Sequence, residues 1–112
     1  MAKLNVIAIG HDGNAVPGNA LALNVIVGVT DNKGVGIVKL KITDFLIGCE
    51  IVGPGGSTSY ISTATIGKLS GTYLLTLLPI AGQNWYAGVY IFSINVTYGT
   101  DHGQTIWSSL MA

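Results

Sequence analysis

The stretch "LALNVIVGVT", residues 21–30, constrains this chain more than any other. Leu21, Leu23, Val25, Val27 and Val29 alternate with Ala22, Asn24, Ile26 and Gly28. Strand side chains point to opposite faces in turn, so a period of two marks a half-buried β-strand with its odd positions toward a core. No stretch sustains a helical period, and the 112 residues include 16 Gly. The whole chain therefore reads as strands separated by turns.

The remaining strands follow from the same pattern. Residues 3–9 form the first, and "DNKG" at 31–34 is a turn, because Asp and Asn bond their own backbone and Gly accepts a positive φ. Residues 35–40 read as a short strand or an irregular link, and a single helical turn is expected near 42–44. Residues 45–52 put Phe45, Ile47, Cys49 and Ile51 on one face, which makes Cys49 a small core residue, and "GPGG" at 53–56 closes that strand. Further strands are expected at 57–66, at 72–78 up to Pro79, at 89–98 and at 103–111, the last two joined across "GTDHG". About seven strands with turns every 8 to 12 residues or so is the spacing of a two-sheet antiparallel β-sandwich, with one domain covering residues 1–112.

Tyr90 in "AGVY" follows a Gly at a strand start, as the tyrosine of a tyrosine corner does. Together "VTDNKG", "KITDF", "GTY", "AGVYIFSINVTYG" and "GQT" resemble the immunoglobulin-like domains scattered through bacterial surface and structural proteins. The resemblance implies an all-β, immunoglobulin-like sandwich serving as a spacer, adhesive or assembly unit, and it carries no enzymatic activity. The chain departs from that pattern in two ways: Cys49 is its only Cys, so no cysteine pair can link the sheets, and the expected mid-sandwich Trp is missing.

Charged residues make up 9% of the chain, against about 25% in an average soluble domain. Five Lys, with no Arg, balance five acidic residues. This leaves no electrostatic footprint for nucleic acid or an anionic membrane, and little charge to hold copies apart. No apolar run reaches the roughly 18 residues of a membrane helix. The opening residues lack the hydrophobic region and small-residue cleavage site of a signal peptide, and the compartment is left open.

The apolar excess gives the first candidate surface. Leu74 and Leu78 lie opposite the core-facing Tyr73, Leu75 and Leu77, and Val89 and Ile91 lie opposite Tyr90, Phe92, Ile94 and Val96. With Ile26 they suggest an apolar outer sheet face that a second copy or another protein covers, so a homo-oligomer or protein partner is expected. Carbohydrate is the alternative ligand: Trp85 and Tyr86 in a long loop, with Trp107 in the last strand, could stack on sugar rings.

The two His residues, in "GHDGN" and "GTDHGQ", each adjoin an Asp and a Gly. In seven antiparallel strands the first and sixth connections lie at opposite ends, so the pairs read as turns and not as one divided metal site. A full strand at 35–40 would reverse that parity. No nucleophile motif, phosphate loop or paired carboxylates appear, so no enzyme, cofactor or metal is expected.

Overall fold

The computed structural model describes residues 3–10, 13–47, 59–80 and 82–111. Within them the chain forms β1 (Asn5–Gly10), β2 (Leu23–Thr30), β3 (Phe45–Ile47), β4 (Ser59–Ile66), β5 (Thr72–Pro79), β6 (Gly88–Tyr98) and β7 (Asp101–Met111). A single 3₁₀ turn, Ile42–Asp44, precedes β3, held by the Lys41 N–H donating to the Asp44 carboxylate at 2.8 Å. One sheet has the order β1-β2-β5-β4 and the other β3-β6-β7, and all of these strand pairs are antiparallel.

The period of two decides what goes inside. In β2 every second residue, Leu23, Val25, Val27 and Val29, is buried, while Asn24, Ile26, Gly28 and Thr30 are half-buried on the other face. Tyr73, Leu75 and Leu77 of β5 and Tyr90, Phe92, Ile94 and Val96 of β6 complete the same core from both sheets. Leu21, expected to be the first inward residue of this strand, is 53% exposed, because pairing begins only at Leu23.

Residues 35–40 are not a full strand. Gly36 makes a single bridge to Thr30, and the Ile37 N–H donates to the Val29 carbonyl at 2.9 Å. Backbones crowd here: a Cβ on Gly36 would stand 2.7 Å from the Ser70 carbonyl oxygen, and one on Gly71 would stand 2.7 Å from the Gly36 Cα. The Tyr73 hydroxyl then holds the segment from below, donating to the Ile37 carbonyl and accepting from the Leu40 N–H at 3.2 Å. A ladder partner is replaced by a phenol and a glycine contact.

The last hairpin is tighter than "GTDHG" suggests. Tyr98 pairs with Asp101, leaving a two-residue loop of Gly99 and Thr100, with φ of 65° at Gly99. A positive φ at the first central residue alone is the type II′ arrangement, whose twist matches that of the flanking strands. Asp101 and His102 consequently belong to β7 and not to the turn.

Tyr73 is buried, and its hydroxyl satisfies one donor and one acceptor of the 35–40 segment. Tyr73→Phe should therefore cost about 1–3 kcal/mol. Urea denaturation will read this as a lower midpoint at unchanged slope.

Candidate functional site

Strand register shows which apolar side chains meet on the outside. Across the four-stranded sheet, Ile9 of β1 pairs with Ile26, Ile26 with Leu74, and Leu74 with Thr65. The next row runs Ile7, Gly28, Thr72, and a Cβ on Gly28 would touch nothing, so Ile7 flanks an open, flat strip of sheet. Ile7 is 64% exposed and Ile9 is exposed as well. On the other side of the row stand Asn24 and Thr76, linked by a 3.0 Å hydrogen bond from the Thr76 hydroxyl to Asn24 Oδ1. Leu78 lies beyond this polar pair, beside the exposed Tyr60.

The three-stranded sheet has a patch of its own. Val89 pairs with Leu110, Ile91 with Ser108 and Ser93 with Ile106. Leu110 is 70% exposed, and Ile106 and Val89 are exposed too.

The expected single face thus divides. Ile26 and Leu74 belong together, Leu78 is set apart by Asn24 and Thr76, and Val89 and Ile91 lie on the other sheet, with the core between the two patches. β5 and β6 are consecutive in the chain but enter different sheets, and alternation within a strand carries no information about which sheet it joins. Sequence reasoning also missed Ile7, Ile9, Ile106 and Leu110. In β1 the alternation is inverted, with Val6 and Ala8 against the core and the larger Ile7 and Ile9 outside. Reading large apolar residues as inward hid that face.

The aromatic residues are not the exposed group that sugar stacking requires. Trp85 is only 2% exposed: its ring meets Tyr90 edge-on at 5.2 Å, and its Nε1–H donates to the Leu21 carbonyl at 2.8 Å. Trp107 is buried and stacks on Phe92 at 5.7 Å. Of the three candidate ligand-binding residues only Tyr86 presents its ring to solvent. Both indoles are occupied as core, because each has a ring neighbour and the loop indole also has a carbonyl to bond.

At the start of β7 an open groove of about 870 Å³ is lined by Lys3, Asn95, Thr97, His102 and Gln104, among others. Part of its polar lining is already engaged, since Gln104 Nε2 donates to the Ser93 hydroxyl at 2.7 Å. His102 stands at the β1 entry, where Lys3 bridges to it. Gly10 lies at the far end of β1, roughly 20 Å of strand away. His11 and Asp12 fall outside the described residues, as do Cys49 and Glu50. Among the described residues no three His, Cys, Asp or Glu side chains gather as a metal site.

Trp85→Phe keeps a ring against Tyr90 but loses the bond to Leu21, and is expected to cost about 1–3 kcal/mol. Tyr86→Ala should stay within about 0.5 kcal/mol of the parent. Denaturation midpoints check both, and iodide should quench neither indole of the native chain appreciably.

Compared with protein-family models, with curated proteins and with solved structures, the chain matches none.

Proposed function

We propose that this chain is an immunoglobulin-like β-sandwich acting as a non-enzymatic structural or adhesive module that associates with copies of itself. The strand orders β1-β2-β5-β4 and β3-β6-β7 support the fold, since they reproduce the A-B-E-D and C-F-G sheets of the constant-type immunoglobulin domain. The Tyr90 hydroxyl, near the start of the sixth strand, accepts from the Tyr86 N–H four residues upstream at 2.9 Å, the contact of a tyrosine corner.

One observation carries the functional reading. Ile7, Ile9, Ile26 and Leu74 form a contiguous apolar field on a sheet face turned away from the core, in a chain with 9% charged residues. Left to water, the exposed Ile7 and Ile9 each forgo part of the roughly 1.5–3 kcal/mol that full burial of such a side chain contributes, and the half-buried Ile26 and Leu74 forgo less. Two copies of the four-stranded sheet packed face to face would recover much of it.

Sedimentation equilibrium across micromolar concentrations should give a mass above the 11.6 kDa of one chain. Ile9→Lys, at an exposed position, should weaken association at least about tenfold, or 1.4 kcal/mol, with the far-ultraviolet circular dichroism unchanged. A parent chain that stays monomeric throughout would overturn the proposal.

A further inference from the structure

The sheets differ in how their edges are guarded. Native edge strands are commonly blunted by brevity, bulges, charge or proline, because a bare edge is a template for another strand. β4, an edge of the four-stranded sheet, breaks register with β5 between Ile61 and Thr63. β7 has none of these devices. It runs for 11 residues in unbroken register with β6, and from Gly103 to Met111 it has neither a charged side chain nor a proline.

The direction of its free backbone groups follows from one bond. The Leu4 N–H donates to the His102 carbonyl at 2.9 Å, so the backbone of His102 faces away from β6. Strand residues alternate in this respect, so Gln104, Ile106, Ser108 and Leu110 also direct their N–H and C=O outward. After Leu4 the chain pairs with β2 in the other sheet while still passing close to the start of β7, where a Cβ on Gly103 would stand 2.8 Å from Val6. Among the described residues no further backbone bond reaches this edge.

We infer that the free edge of β7 pairs antiparallel with β7 of a second copy, about a two-fold axis at Ser108, joining two three-stranded sheets into one. This rests on the reading that the chain associates with itself, and adds a contact at a sheet edge, separate from the Ile9–Ile26–Leu74 row. The second copy is chosen by self-complementarity. With Ser108 opposite its own symmetry mate, Ile106 faces Leu110 of the partner subunit, and the reverse pair repeats beyond the axis. Every outward residue from Ile106 to Leu110 then exchanges both backbone bonds, about six in all. On the outer face apolar meets apolar, in the cross-strand pairs that stabilise sheets. The Val89–Leu110 and Ser93–Ile106 rows of each copy run on into the other. No like charges oppose, since this stretch has none. The axis at Ser108 also leaves the His102 end, where Leu4 occupies the edge, outside the paired stretch.

Two different two-fold contacts on one molecule link copies beyond a dimer. Sedimentation of four proteins separates them: the parent, Ile9→Lys, Ser108→Pro and the double variant. Proline at Ser108 removes an outward N–H and leaves the bonds to β6 intact. The parent should exceed a dimer, each single variant should stop at a dimer, and the double variant should be monomeric. Ser108→Pro sedimenting like the parent, while Ile9→Lys dissociates, would overturn the edge contact and leave face packing standing. Dissociation by Ser108→Pro alone would do the converse, and a monomeric parent would overturn both. Should the proline variant not fold, Ser108→Cys with Cys49→Ser decides. Paired Cα atoms about 5.5 Å apart at the axis permit a disulfide, so a crosslinked dimer should appear on a non-reducing gel, with none for Gln104→Cys in the same background. Absence of the Ser108→Cys dimer would overturn the inference.

Discussion

The contact of Trp85 with Tyr90 is the interaction on which the rest of the interior depends. The chain from β5 to β6 must cross from one sheet to the other, and Trp85 fixes where it does so. Its ring stands edge-on to Tyr90, its N–H donates to the Asn19 carbonyl, and its own carbonyl accepts from the Gly18 N–H. With the indole bond to Leu21 this ties the crossing loop to the segment leading into β2, in the other sheet. From Tyr90 the rings continue through Phe92 to Trp107, spaced 5.9 and 5.7 Å. Each such pair adds about 0.5–1.5 kcal/mol beyond the area it buries. The Phe45–Tyr73 ring contact, at 5.3 Å between β3 and β5, joins the two sheets in a chain whose one Cys cannot form an internal disulfide.

That interior leaves an unusual exterior. Small residues of β1, Val6 and Ala8, suffice against the core because the aromatic rings fill it. The larger Ile7 and Ile9 are then left outside. Outer faces that in most antiparallel proteins carry charge here carry Ile, Leu, Thr and Asn. The low charge content and the two apolar fields are thus one fact seen at two scales.

Much of this was legible in the residues. The alternation in β2 and β6 indicated which faces are buried, and the glycine-rich turns indicated where strands end. What was not legible depends on distant partners. Trp85 reads as an exposed loop aromatic until Leu21, 64 positions away, supplies an acceptor. Residues 35–40 have a strand's composition, but the Tyr73 hydroxyl takes their backbone groups instead. Asp101 and His102 look like turn residues because Asp and Gly dominate turns, yet the positive φ of Gly99 closes the loop two residues earlier. The outer faces were visible strand by strand, but their division between two sides required the sheet order.

The tight Gly99–Thr100 loop has a consequence in time. A hairpin needing so little loop closure forms in about 1–10 μs. Joining β2 to β5 instead brings Leu23 against Leu77, a closure over roughly half of the chain that carries a larger entropic cost. The Phe92–Trp107 stack, lying within the β6–β7 hairpin, therefore belongs to the earliest structure, and the Trp85–Leu21 bond to the last. The two indoles of this chain mark opposite ends of its folding path, one reporting local zippering and the other the docking of the sheets.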